Sequence, residues 1–161
     1  MPCQELRCKQ YADELQELHR ERYAPLMSVY LDDSFKNNKC EITSLRVGPA
    51  IIKSVWNMTA CELPSDGIFF LPADVAFRMV GQLVIIHAGW FFNLEKKMGE
   101  ALLRDYSIRY RRKILKSEGI EISVRIPSPI HRVANTALYS FKFSISDDFF
   151  NGSGTPLVTV G

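Results

Sequence analysis

Much of what would announce a chemistry is missing from this chain. Its four cysteines, Cys3, Cys8, Cys40 and Cys61, show no CxxC spacing and are accompanied by only three histidines. That pattern signals neither a zinc site nor a disulfide framework, so no metal is expected and the cysteines read as reduced cytosolic thiols. Nor is a secretory leader expected, because Cys3 to Arg22 is densely charged where a basic and then apolar segment would be needed. Cytoplasmic residence is the expectation. A net charge of +2 is too small for a dedicated nucleic-acid binder, whose basic surface dominates its charge balance. The longest apolar stretch, Val75 to Phe92, is broken by Arg78, Gln82 and His87, which would be costly in lipid, so it reads as a buried helix and not a membrane span.

What is present suits one globular unit. With 161 residues, 47% of them hydrophobic and 24% charged, the chain is long enough to bury a substantial core, and a single domain over residues 1–161 is expected. Leu6, Tyr11, Leu15 and Leu18 recur at helical spacing and predict an amphipathic N-terminal helix, an arm over residues 1–24 that Pro25 ends. A loop follows through Asp32, Asp33, Asn37 and Asn38. Lys39 to Arg46 and Ala50 to Ala60 read as a hairpin across Gly48-Pro49. The prolines and glycine of ELPSDGIFFLP make an irregular loop, and a helix is predicted from Ala73 to about Leu94. Strands are predicted over Arg104 to Leu115, Ile120 to Ile126 and, as one very long element, His131 to Ser146, with a short edge strand in the tail. No βαβ alternation occurs, and a helix so apolar must be covered on most of its circumference; a curled sheet would do that.

At 100° per residue, Asp74, Arg78, Gly81, Gln82 and Gly89 fall in one narrow stripe on that helix. The stripe is expected to face a cleft or a subunit interface, which makes Asp74, Arg78 and Gln82 the candidate catalytic residues. Asp74 stands where the unsatisfied N–H groups of a helix start favour negative charge. It could cap the helix, pair with Arg78, or serve as the base for water attacking a carbonyl polarised by N–H groups near Phe69 and Phe70. His87 falls opposite the stripe and reads as a buried structural histidine. Trp56, Asn57, Phe69 and Phe70 are candidate substrate-binding residues, the aromatics as walls of an apolar channel with Met58 and Phe77.

With the loop GIFFLPAD, the helix ending MVGQLVIIHAGW and the strand RDYSIRYRRKI set in that order, the chain resembles hot-dog acyl-thioester enzymes. Within them it looks most like the FcoT-type thioesterase-like group, whose members act on fatty acyl thioesters or add an amine to an unsaturated acyl thioester. The resemblance covers about Lys39 to Asp147, the core of the expected domain. Gln82 matches a glutamine inside the helix, and Ser107, Arg109 and Arg111 match an SxRxR-type strand. Where that group carries His-Phe-Asn and a glutamate, this chain has Phe70, Leu71 and Pro72 followed by Asp74. The resemblance implies an α+β hot-dog fold, one long central helix wrapped by a curled antiparallel sheet of five or six strands. It further implies catalysis by Asp74 and Gln82 with helix-start N–H groups, often across a homodimer interface, and no cofactor.

Arg109 and Arg111, with Arg112, Lys113 and Lys116, concentrate positive charge in and just after one strand, interleaved with Tyr106 and Tyr110. A phosphopantetheine arm or an acidic carrier protein would suit such a patch better than nucleic acid. It could also be a solvated strand face that discourages edge pairing. The sequence therefore points to hydrolysis of acyl-CoA or acyl-carrier-protein thioesters by a homo-oligomer. Lyase chemistry on an α,β-unsaturated acyl thioester, whether dehydration or amine addition, and a non-catalytic acyl-carrier binding module are the alternatives.

Overall fold

A computed structural model of the chain describes residues 4–6, 14–29, 31, 37–127 and 130–161. Its strands are β1 (Gln4–Leu6), β2 (Gln16–Glu17), β3 (Lys39–Gly48), β4 (Ile51–Ala60), β5 (Ala101–Tyr110), β6 (Ile120–Arg125), β7 (Ile130–Val133), β8 (Thr136–Leu138), β9 (Phe141–Ile145) and β10 (Phe150–Thr159). A four-residue helix, α1 (Arg20–Tyr23), precedes a 3₁₀ turn at Ala24–Leu26, and the long helix α2 spans Ala73–Phe91.

The strands form one antiparallel sheet in the order β1-β7-β8-β10-β9-β6-β4-β3-β2, with β5 on the other side of β10. Alternation puts Leu45, Val47, Ile52, Trp56, Ile120, Ile122, Val124, Phe141, Phe143 and Ile145 inside. Register then aligns them into continuous apolar rows: Trp56 faces Ile120, Ile52 faces Val124, and Val124 faces Phe143. Against these rows lie Val75, Met79, Val80, Leu83 and Ile86 of α2, each at 0% exposure, so the helix is the centre of the core and not a surface layer. Completely burying one such side chain stabilises by about 1.5–3 kcal/mol, which is why this element holds its place.

Five expectations are corrected by the fold. The arm is not one amphipathic helix. β1 pairs with β7, β2 pairs with Val47 and Arg46 of β3, and among the described residues of the arm helix is confined to the single turn of α1. The apolar spacing served docking instead: Leu18 and Tyr23 are buried, and the Leu18 N–H donates to Leu45 O at 2.8 Å. Tyr11 and Cys8 lie outside the described residues, as do Asp32 and Asp33.

The long strand over His131 to Ser146 is divided. A hairpin turn at Ala134 and Asn135, with Ala134 at φ 51°, folds β7 onto β8, because Asn beside a left-handed residue suits a two-residue turn. The basic segment is shorter as a strand than expected, with β5 ending at Tyr110, and Arg111 leaves the ladder.

Finally, the tail is no short edge strand. β10 has ten residues and lies between β5 on one side and β9 with β8 on the other. Its glycines allow this. A Cβ at Gly152 would lie 1.8 Å from Ser107 O, and one at Gly154 would lie 2.8 Å from Asp105 O. The resulting sheet has ten strands instead of five or six, because the division of the long strand and the terminal segments all add to it.

Candidate active site

α2 begins at the end of an irregular loop. Leu71, 1% exposed, anchors that loop by donating its N–H to Ile114 O at 2.9 Å. Pro72 occupies the cap position with extended backbone (φ −70°, ψ 155°), and Ala76 N–H makes the first helical bond, to Pro72 O at 3.0 Å. Asp74 is therefore not the cap. It is an exposed carboxylate in the first turn, beside the N–H groups of Ala73, Asp74 and Val75 that precede the first intrahelical bond. This turn carries the positive end of the helix dipole.

β5 runs past the same turn. The Phe77 ring meets Tyr106 edge-on at 4.8 Å, and Tyr106 stacks on Phe143 at 5.6 Å, so the Tyr106 ring is clamped. Its hydroxyl is buried without a hydrogen-bond partner, and burial, then the nearby Tyr110, pushes the phenol well up from its usual range. Tyr110 is more open, 47% exposed, and packs edge-on against Phe150 at 4.6 Å. Burial and then the Asp74 charge push its phenol up, which places the two groups within electrostatic reach. Neither tyrosine stood out as a site residue in the sequence, where both read as aromatics interleaved with arginines.

An apolar slot of about 210 Å³ lies between α2 and β5, and the first helix residue to line it is Phe77, one turn beyond Asp74. Phe77, Gly81, Val84 and Ile85, one stripe of the helix, form one wall, and Leu103 and Tyr106 stand on the other. Of the residues expected to line a channel, only Phe77 does so. A larger hollow of about 620 Å³ lies on the outer sheet face among Arg46, Lys53, Arg125 and Asp147. Its exposed, hydrated charges offer an apolar group nothing to bury against.

Within the polar stripe of α2, Arg78, Gln82 and Gly89 face Leu26, Ser28, Leu31 and Asn38 of the same chain and not a cleft, while Gly81 also lines the slot and Asp74 is exposed. Ser28 N–H donates to Gln82 Oε1 and Gln82 Nε2 donates to Ser28 O, both at 2.8 Å. Arg78 Nη2 donates to Asn38 O at 2.8 Å and Nη1 to Leu31 O at 3.3 Å. The two glycines make room for the same segment. A Cβ at Gly89 would lie 2.6 Å from Leu26 Cδ2, and one at Gly81 would lie 3.2 Å from Leu31 Cδ1. Arg78 and Gln82, 3% exposed each, are thus tied to backbone, and no Asp74–Arg78 ion pair forms among the described residues. A helical wheel shows which residues share a face but cannot show that another part of the same chain covers it.

Two other candidates also have structural partners. Trp56 is 1% exposed and donates its Nε1–H to Ser54 Oγ at 2.8 Å, and Asn57 Oδ1 accepts the Gly119 N–H at 2.9 Å. Phe69 is half-buried against the core, whereas Phe70 is 39% exposed at the helix entrance with the Lys113 ammonium 5.7 Å from its ring centre. Arg109 and Arg111 are exposed, and Arg111 N–H is tied to Phe149 O at 2.8 Å. The structure thus gathers Asp74, Phe70, Phe77 and Lys113 around one helix end and separates them from Arg78, Gln82, Trp56 and Asn57.

His87 is completely buried. Its Nε2 lies 3.2 Å from Gly48 O and 3.1 Å from Pro49 O, so it donates to the β3–β4 turn, while Nδ1 has no partner. Burial, opposed by those carbonyls, pushes the imidazole down to about 4. Among the described residues no group of three or more His, Cys, Asp or Glu side chains could hold a metal, and no helix is long and apolar enough to cross a membrane.

Comparison with known proteins is consistent with the topology. No protein-family model matches the chain, and no curated protein matches it either. Solved structures do. A putative thioesterase from Shewanella oneidensis is 13% identical over 87% of this chain and 95% of that one, with a TM-score of 0.52. A mutant hypothetical thioesterase from Streptococcus pneumoniae TIGR4 is 14% identical over 79% of this chain and 94% of its own, with a TM-score of 0.50. The chain has a hot-dog fold. The strand order β3-β4-β6-β9-β10-β5 wrapped on α2 is its body, and β1, β2, β7 and β8 are additions at the margins.

Proposed function

We propose that this protein hydrolyses acyl thioesters at the first turn of α2, with Asp74 as general base. One observation carries the reading: an exposed carboxylate stands in the first turn of the buried helix, one turn before Phe77, the first helix residue to line an apolar slot along that helix. With an acyl chain in the slot, the thioester carbonyl lies near the first-turn N–H groups. Water gives its proton to Asp74 as its oxygen bonds to the carbonyl carbon. The oxyanion so formed is stabilised by N–H donors and the helix dipole, and it collapses with loss of the thiolate. Lys113, over the Phe70 ring before α2, and the exposed Arg111 and Arg112 that precede it suit the phosphates of a coenzyme A or carrier-protein thiol arm. In this reading Arg78, Gln82, Trp56 and Asn57 build the scaffold and do not touch substrate.

β5 supports a homodimer. It pairs with β10, and no second partner strand occurs among the described residues, which leaves a ladder edge beside exposed Leu102 and Tyr110 for another copy. Light scattering at micromolar concentration should give twice the chain mass.

The deciding experiment is mass spectrometry after incubation with saturated and α,β-unsaturated acyl-CoA, with and without amino acids. Free acid and free thiol are expected from the saturated substrates. A hydrated product or an amine adduct in place of free acid would replace hydrolysis by lyase chemistry. Substrate bound but unchanged would leave a binding module.

A further inference from the structure

The outer face of the sheet carries a charge pattern that the candidate site does not use. Across β6 and β9 the register sets Ser123 beside Ser144 and Arg125 beside Lys142. At the other end the Ser146 N–H donates to Glu121 O at 2.9 Å, which brings the turn carrying Asp147 alongside Glu121. Glu121, Arg125, Lys142 and Asp147 are exposed, and they line two adjoining hollows of this face that share Ser123 and Ser144. Both strands therefore pass from acid through serine to base in the same direction across the face. Each end sets two like charges side by side, an arrangement that is destabilising within a sheet. Their opposites are out of reach. Glu121 and Arg125 are four residues apart on one strand, about 13 Å at 3.3 Å per residue, and among the described residues none of the four forms an ion pair.

We infer that this face is an interface with a second copy of the chain, related by a two-fold axis that crosses the strands along the Ser123–Ser144 row. Rotation about such an axis lays the basic end of one copy on the acidic end of the other. Arg125 then meets the partner's Glu121, and Lys142 meets the partner's Asp147, each pair occurring twice by symmetry. The serines on the axis are short, so the faces approach there while the long side chains at both ends reach across. Arg46 and Lys53 continue the serine row onto β3 and β4. Sheet twist of about 20–25° per strand carries the two faces apart in that direction and leaves these cations in water. A polyanion such as nucleic acid is a poorer occupant, since Glu121 and Asp147 would repel it. An exposed ion pair contributes little by itself, so the contact is weak and forms well above micromolar concentration in low salt. It is separate from the β5 edge and would join two edge-paired dimers into a four-chain assembly. It does not depend on the thioester reading.

Light scattering of the full chain across protein concentration and salt tests the pairing. At high protein concentration in about 10 mM salt, where charges act over about 30 Å, the mass should be double its value in about 1 M salt, where they act over about 3 Å. Glu121→Arg leaves β6 with a cation at both ends, and Arg125→Glu leaves it with an acid at both ends. Both positions are exposed on a regular strand, so each variant should keep the parent's far-ultraviolet circular dichroism. Neither variant alone should double in mass. An equimolar mixture of the two should regain the doubling, because each supplies the charges the other lacks. Lys53→Glu makes the same change in net charge as Arg125→Glu, but at a position the contact leaves in water, and it should pair as the parent does. A parent mass that does not respond to salt and concentration, doubling by either β6 variant alone, or a mixture that stays at the unpaired mass overturns the interface and gives the face to water or to a different partner.

Discussion

Replacing Asp74 by Asn tests the proposed chemistry most directly, because the structure separates its effects on stability from its effects on rate. Asp74 is exposed in the first turn and is not the helix cap, so no capping hydrogen bond is lost. What is lost in the folded state is a charge–dipole interaction of about 0.3–1 kcal/mol. For a chain of this size that lowers Tm by about 1–3 °C. If Asp74 is the base, the amide cannot take the proton from water, and kcat/KM should fall by about 10²–10⁴. That corresponds to about 3–5 kcal/mol of transition-state stabilisation, several times the stability effect. Thiol release from acyl-CoA gives the rate and thermal unfolding gives Tm. A third readout confirms the placement: with the Asp74 charge removed, the Tyr110 phenol should titrate at lower pH, seen as earlier phenolate absorbance in the ultraviolet. Turnover within twofold of the parent, with a shifted Tyr110 titration, would show that the charge is where the structure puts it and that it has no part in catalysis.

The remaining predictions concern what holds the site. Gln82→Ala leaves the Ser28 N–H and C=O without their buried partners; it should cost about 1–3 kcal/mol in urea unfolding and leave kcat within twofold, whereas a tenfold fall in kcat at unchanged stability would return Gln82 to the mechanism. Because the unfolded chain takes up a proton near the ordinary histidine value of 6.5 and native His87 only near 4, stability is full above about pH 6.5 and falls by about 3 kcal/mol as pH drops to 4. An imidazole NMR titration showing His87 charged at pH 6 would contradict this. Gly152→Ala should destabilise by about 3 kcal/mol or more or prevent folding, since its Cβ would overlap Ser107 O; a Tm within 2 °C of the parent, which at this chain length means a loss of under about 1 kcal/mol, would mean that β5 and β10 do not meet as described.

The buried helix and the first hairpin were legible in the sequence because their information is periodic and local. Apolar residues on all but one stripe of positions 75–90 leave few places for such a helix except the centre of a core. Alternation in residues 39–60 and 120–126 fixes which side chains turn inward. His87 was legible in the same way, as a histidine on an apolar face. Tertiary structure alone decided the rest. The composition of Asn-Gly-Ser-Gly-Thr-Pro speaks for a loop, and only the approach of Ser107 O to Gly152 turns it into a strand between two others. Arg78 and Gln82 looked like a cleft-facing pair with Asp74 because helical spacing records which residues share a face. What covers that face is set by Ser28, Leu31 and Asn38, through bonds between positions forty or more residues apart. Of the three, Asp74 alone is exposed. Its electrostatic reach to Tyr110 likewise spans more than thirty residues of chain, which no local pattern encodes.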